Sequence, residues 1–502
     1  MDQTRKYPLY LFAGSDDNLS NLTRRLGEPL HGSIDSKGAW AGAGSWPLPE
    51  GAAPLCMNGG AAAFAARSAR LVAERLRMAG LKAAESHREA DGQGSYRRCF
   101  AVTVFCLQAV HIAEIPSRTG EGAGDSLAAS RRAMSSRMSG GSMGGSASDM
   151  RGNSLMVSGP EPGSPMFRRL EKTAVRALYV QGLDFGEVTL LSCGSGYAVA
   201  SIVPLPELGL GNSARLFAES VRRVAADWAL EAAPASSGAA ANKMLIGMDP
   251  EFLLYDRLRG KIVPASRFLD TAGRAGCDAV WINGRRKYPL AELRPAPGGE
   301  PREAVQHLMA AMREASRQIG DKALAWLAGG MPQPGLPLGG HLHFSGVMLT
   351  PQLLRALDNY LALPVAALED PRSRARRPRY GLLGDFRRQA YGGFEYRTLP
   401  SFLISPVVTK GVVALAVLIA EEYKGPALSS LPLNDDEALS AFYQGDRPAI
   451  RRLALQVIEE VADLPGFSKY ESYLTPMFDA IRSGKMWDET ADIREAWKIS
   501  VP

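Results

Sequence analysis

Cysteine is scarce in this 502-residue chain: there are five, Cys56, Cys99, Cys106, Cys193 and Cys277, scattered and without a Cys-x-x-Cys pair. That argues against a zinc knuckle or a disulfide framework and favours a reducing, cytoplasmic setting. Long apolar runs are also missing. The opening MDQTRKYPLYLFAGSDD has none of signal-peptide length, and the most apolar stretch, residues 407–420, is broken by Lys410 and closes on Glu421 and Glu422. It is too short to span a bilayer and reads as a buried core helix. No segment interleaves basic and aromatic residues as a nucleic-acid platform would, and a formal charge of +6 is only a mild basic excess. No GxxxxGK[ST] loop occurs, so a nucleotide would need another phosphate cradle. Neither internal repeats nor heptads are visible.

What is present divides the chain. Residues 117–165 are rich in Ser, Gly, Met and Arg and poor in β-branched and aromatic residues. Such a segment buries too little surface to offset its ordering entropy and reads as a disordered insertion. Before it, residues 1–116 read as an α/β region: a strand in YPLYLFAG, a helix over 61–79 ending at Gly80, and a strand over 99–112. After it, residues 166–235 offer a helix over 166–181, strands in GEVTLLSC and YAVASIVPL, and a helix from about 213 to 230, completing the N-terminal domain. An Ala-rich linker follows at 233–241. Residues 244–424 alternate short strands with amphipathic helices at 301–319 and 351–361, and residues 425–502 form a helical extension.

The chemistry is concentrated in four short segments of the 244–424 region. Residues i and i+2 of a strand point to one face. Asp249 and Glu251 in GMDPEFLL share a face, as do Glu292 and Arg294 in PLAELRP, His341 and His343 in GGHLHFSG, and Glu395 and Arg397 in GFEYRTLP. The opposite positions are apolar. Brought into one sheet, these segments gather carboxylates, imidazoles and guanidiniums on one side. Carboxylates facing one cavity repel unless cations neutralise them, and an oxygen-rich, thiolate-free donor set favours Mg²⁺ or Mn²⁺. An arginine-rich stretch follows: Arg372, Arg374, Arg376, Arg377, Arg379, Arg387 and Arg388. Guanidinium groups pair with phosphate and carboxylate, so acids, metal and arginines together fit phosphoryl transfer. Singly, each piece has a plainer explanation: a solvent-facing strand, a cross-strand ion pair, a structural histidine pair, and for Arg372 to Arg377 a solvated loop.

In order and spacing, MDPEF, ELRP, GGHLHF, RYG and GFEYRTLPS resemble the phage-type carboxylate–amine ligase (amidoligase) family of the glutamine-synthetase-like superfamily, over residues 244–423. The resemblance implies an α+β fold with a curved antiparallel sheet and packed helices, binding ATP and two or more Mg²⁺ ions. It implies ATP-driven amide or isopeptide formation through an acyl phosphate. Carried over by motif, Asp249, Glu251, Glu292, His341 and Glu395 are metal ligands. His343, with Arg294 and Arg387, approaches the nucleotide, and Arg379, Arg388 and Arg397 stabilise phosphate or substrate carboxylate. Arg387 and Arg388 compete for one role. Asp249 stands where glutamine synthetases carry a longer Glu and is the least secure ligand. The N-terminal half resembles pieces of ATP-grasp ligases but lacks the acidic metal strand, so a degenerate ATP-grasp and a plain α/β accessory domain both remain open. The implied partners are small-molecule or peptide acids and amines, with neither nucleic acid nor membrane. A guanidino-kinase-like phosphotransferase and an inactive binding module of phage origin are the alternatives.

Overall fold

The computed structural model describes residues 7–26, 30–35, 38–43, 53–84, 98–115, 157–194, 196–206, 212–232, 243–282, 284–377, 379–425 and 427–500. In the N-terminal half, β1 (Leu9–Phe12), β2 (Leu30–Asp35), β3 (Gly38–Ala43) and β4 (Leu55–Met57) form one sheet in the order β2-β3-β1-β4. A second sheet contains β5 (Lys82–Ala83), β6 (Cys99–Phe105), β7 (Gln108–Ile115), β8 (Val157–Ser158), β9 (Phe185–Cys193) and β10 (Gly196–Val203), in the order β5-β10-β9-β6-β7-β8. The helices Pro165–Val180 and Asn212–Ala232 pack on it.

Two N-terminal elements differ from expectation. The helix over 61–79 is two helices, Ala61–Ala66 and Ala69–Met78, because Ser68 is extended and its side chain caps the second through Leu71 N. The strand over 99–112 is a hairpin. Cys106 and Leu107, with φ of 46° and 64°, form its two-residue turn. Left-handed conformations at two non-glycine residues suit the twist of a hairpin but leave no Asn-Gly mark in the sequence. Of the insertion expected over 117–165, residues 117–156 lie outside the described residues, as does the linker at 233–241. Residues 157 and 158 already pair as β8, and Ser164 caps the helix that Pro165 begins.

The C-terminal half is built on one antiparallel sheet that curls into a half-barrel, giving a mixed α+β fold. Its strands are β11 (Leu245–Asp256), β12 (Lys261–Val263), β13 (Ala275–Ile282), β14 (Arg285–Leu293), β15 (Leu324–Leu327), β16 (Gly340–Ser345), β17 (Phe386–Arg388) and β18 (Phe394–Tyr396). The main order is β13-β14-β11-β16-β18-β17, with β12 and β15 also pairing to β11. One face is core: Phe252, Ala291, Leu342, Phe344, Phe394 and Tyr396 are buried there, each large apolar side chain contributing about 1.5–3 kcal/mol. The helix Pro301–Ile319 covers this side, and Pro406–Glu422, apolar nearly all round as its sequence indicated, packs behind it against other helices. Thr350-Pro351 and Ser405-Pro406 set two helix starts, the hydroxyls accepting from Leu353 N and Val408 N. The helix expected over 351–361 continues as a π-helical turn, Asp358–Ala362, into Leu363–Leu368. Such turns relieve a local misfit and accompany functional positions. Among the described residues no helix is long and apolar enough to cross a membrane.

Candidate active site

Register brings the polar positions together. Across β11 and β16, Asp249 faces His341; across β16 and β18, His343 faces Glu395; across β17 and β18, Arg387 faces Glu395. Across β11 and β14, Glu251 faces Glu292. All lie on the sheet face opposite the core residues, because alternation sends Leu342, Phe344, Phe394 and Tyr396 the other way.

Two adjoining clusters result. In the first, Asp249 Oδ1 lies 3.0 Å from His341 Nδ1, and Asp249 Oδ2 lies 3.0 Å from His343 Nε2. Glu395 Oε1 is 3.2 Å from His341 Nδ1 and 2.9 Å from Arg397 Nε. Arg387 Nε and Gln389 Nε2 donate to Glu395 Oε2 at 2.6 and 2.9 Å. In the second cluster, Glu251, Asp278 and Glu292 each offer an oxygen within 4.8 Å of the others. Gly339 N donates to Glu251 Oε2 at 2.6 Å, and Arg294 pairs with Glu292. Gly276, opposite Glu292 on β13, leaves the space this guanidinium fills; a Cβ there would collide with Arg294. The side chain of Asp249, short as it is, sits between both histidines and beside both clusters.

The electrostatics follow from burial. Burial alone would raise the Asp249 carboxyl, but its contacts with His341 and His343 outweigh that and hold it well below the usual carboxylate range. His343 moves the other way: burial would lower it, and Asp249 and Glu395 raise it. Burial, with Glu292, Asp278 and Asp249 nearby, pushes Glu251 up to about 8. Burial and the negative charges of Asp249 and Asp278 push Glu292 up to about 7 despite Arg294.

These residues fit divalent cations. Asp249 Oδ1, His341 Nδ1 and Glu395 Oε1 are buried, converge, and lack hydrogen-bond geometry to any partner. Such groups are costly unless something satisfies them. Asp249, His343 and Glu395 form one group able to hold an ion, and Glu251, Asp278 and Glu292 another. The donors are carboxylate oxygens with imidazole nitrogens, a set for Mg²⁺ or Mn²⁺.

Not every expected residue joins them. Strand alternation separates the competing pair: Arg387 points at Glu395, whereas Arg388 lies over the Phe386 ring and faces Glu171 and Arg223 of the N-terminal half. Arg379 is exposed, with its guanidinium over the Tyr380 ring. His343, expected at the nucleotide, lies within the first ion-binding group. The stretch expected as a solvated loop forms a 3-10 turn, Pro371–Arg376, in which Arg372 and Arg374 are exposed but Arg376 is buried. Arg376 donates to the carbonyls of Thr398 and Leu399 at 2.7 and 2.8 Å; Arg377 pairs with Glu369 and stacks on Phe442. Three residues went unread in the sequence. Asp278 shares its strand face with Gly276 between buried Ala275 and Cys277, and Gln389 and Tyr391 continue the parity of Arg387. Tyr391 Oη lies 3.3 Å from His343 Nδ1.

A curled antiparallel sheet thus carries, on one face, two adjoining groups that could each hold a metal ion. The family model of phage phiEco32-like COOH.NH2 ligase-type 2 matches residues 246–499, half of the chain, and the chain belongs to that family. No curated protein matches it. Among solved structures, a bifunctional glutathione synthetase from Pasteurella multocida is similar at 12% identity over 51% of this chain and 52% of that one, with a TM-score of 0.29. This chain thus spans about half the length of that protein.

Proposed function

We propose that the protein is an ATP-dependent carboxylate–amine ligase that forms an amide or isopeptide bond through an acyl phosphate. The observation that carries the reading is the pair of adjoining clusters on one sheet face, with the guanidiniums of Arg387, Arg397 and Arg294 at their edge. Asp249, His341, His343 and Glu395 would hold one Mg²⁺ or Mn²⁺, and Glu251, Asp278 and Glu292 another. Bound there, the cations would neutralise phosphate charge and polarise the transferred group. Arg387 and Arg397, the first more than half exposed, are the groups on this face suited to phosphate oxygens or a substrate carboxylate.

In the proposed reaction a substrate carboxylate oxygen attacks the γ-phosphorus of ATP and ADP departs. An amine then attacks the acyl carbon, phosphate leaves with the bonding pair, and the amine gives up a proton. The reading does not use Arg379 or Arg388. It takes the acids and amines to be small molecules or peptides, and the five free cysteines suit the cytoplasm. The N-terminal half serves as an accessory α/β unit.

Calorimetry of ATP binding with Mg²⁺, on wild type and Glu395→Gln, tests the proposal. Metal-dependent binding that the variant weakens about 100-fold is the expected result. ADP and phosphate released only when acid and amine are both present would then distinguish a ligase from a guanidino kinase, which releases no phosphate. A wild type that binds no nucleotide, with or without metal, would favour a binding module.

A further inference from the structure

The helix Pro165–Val180 has two working stripes. Leu170, Ala174, Ala177 and Leu178 are buried in its own unit. Lys172, Arg176 and Tyr179, at i, i+4 and i+7, lie on a second face, which reaches across to the segment leading into β17. Lys172 Nζ and Arg176 Nη2 lie 3.8 and 3.3 Å from Asp385 Oδ1. The Tyr179 hydroxyl donates to Asp358 Oδ2 at 2.6 Å. The other oxygen of Asp358 accepts from Gly384 N at 3.0 Å and from the Tyr396 hydroxyl at 2.7 Å. Gly384 has φ of 63°, and a Cβ there would enter the Tyr179 ring. The Asp385 carbonyl accepts from Arg397 N at 2.8 Å.

These contacts bracket the site. Two residues beyond Asp385 stands Arg387, which with Gln389 holds Glu395; Tyr396 and Arg397 flank Glu395 on the neighbouring strand. β17 and β18 are three residues each and lie at the end of the sheet order. Sheet pairing alone gives such short elements little rigidity.

We propose that this helix of the N-terminal half is a positioning element for the active-site hairpin. Lys172, Arg176 and Tyr179 hold Gly384 and Asp385, and thereby fix the reach of Arg387 and Gln389 to Glu395. Movement of the N-terminal unit would therefore reach the site through this helix. What the hairpin then binds rests on the ligase reading; the mechanical link does not.

The test uses the full chain with Lys172→Ala/Arg176→Ala, Tyr179→Phe and, as the conservative replacement, Arg176→Lys. Hydrogen exchange is read at Phe386–Arg388 and Phe394–Tyr396 against the helix Pro406–Glu422. Mn²⁺·ATP affinity is measured on the same samples. Exchange in the hairpin is expected to quicken about tenfold in the double variant while the helix stays protected. Affinity should fall about fivefold, with Arg176→Lys near wild type. Should the double variant fail to fold, Tyr179→Phe, which removes one hydroxyl, gives the answer by the same contrast. Unchanged hairpin exchange, or equal quickening in hairpin and helix, would overturn the proposal. A wild type that binds no Mn²⁺·ATP would count against the ligase reading alone, since the exchange contrast is independent of nucleotide.

Discussion

Glu251 and Glu292 face each other across two strands, buried and a short distance from Asp249 and Asp278. Their carboxyls lie at about 8 and about 7 in the folded chain, against about 4.3 for an unfolded glutamate. A carboxyl raised by folding binds protons as the chain folds, so these two groups favour the fold most at acid pH. Their contribution is lost as pH rises from the unfolded value through about 7 and then about 8. The metal-free protein should therefore melt at progressively lower temperature from pH 5 to pH 8.5. Glu251→Gln should flatten that slope, and saturating Mg²⁺ should flatten it too, because the cation binds the ionised form. Scanning calorimetry across this range decides; an identical slope in Glu251→Gln would remove Glu251 from the account. At this scale much of the site was legible. Alternation paired Asp249 with Glu251, His341 with His343, Glu292 with Arg294 and Glu395 with Arg397, since period two is a property of the strand itself; the sheet register brings these pairs onto one face. Asp278 went unread because its acid stands alone in β13, without a second ionisable group at i±2. Arg387 and Arg388 were indistinguishable until the register of a three-residue strand fixed which one faced Glu395.

Glycine decides how closely β16 approaches its neighbours. Gly339, just ahead of that strand, gives its N–H to Glu251 and lies against the His341 ring, into which a Cβ would project. Gly339→Ala should push His341 away from Asp249 and Glu395. The expected cost is about 1–3 kcal/mol of stability from the clash and a tenfold to hundredfold loss of Mn²⁺ affinity. Thermal melts and Mn²⁺ titration by electron paramagnetic resonance measure both. Full Mn²⁺ affinity in a variant with a shifted melt would exclude His341 from the ligand set. Element boundaries were less legible than site residues. The helix Pro301–Ile319 announces itself by periodicity, with Pro at the start and Gly320 at the end, and Pro406–Glu422 by its apolar run behind a starting Pro. The turn at Cys106 and Leu107 and the π-helical turn at Asp358–Ala362 carry no such punctuation, because tertiary packing imposes them on residues that do not prefer them.

The C-terminal helices bear on where the catalytic unit ends. Glu489 is fully buried; it accepts from Gly330 N, Met331 N, the Ser373 hydroxyl and Trp487 Nε1, and so holds the loop that leads to Gly339. Arg494 donates to the Leu324 carbonyl at 2.5 Å, Trp497 Nε1 to Leu403 O at 2.7 Å, and Ser316 Oγ to Ser500 O at 2.8 Å. Residues from Leu9 to Ile499 share one contiguous apolar core. Leaving the partners of one buried acid unsatisfied costs about 1–3 kcal/mol, and losing a buried tryptophan about 3–5. Together these approach the whole stability of an ordinary domain, about 5–15 kcal/mol. A chain ending at residue 424 should therefore fail to melt cooperatively and should lose Mn²⁺ binding, although it retains every proposed ligand. In the full-length chain, Glu489→Ala should lower stability by about 3 kcal/mol and weaken Mn²⁺ binding through the displaced Gly330–Gly339 loop. Calorimetry and Mn²⁺ titration on both proteins would settle where the unit ends. A shortened chain with a cooperative melt and full Mn²⁺ affinity would make residues 425–502 an appendage; loss of both would make them part of the machinery that holds β16 in register with β11 and β18.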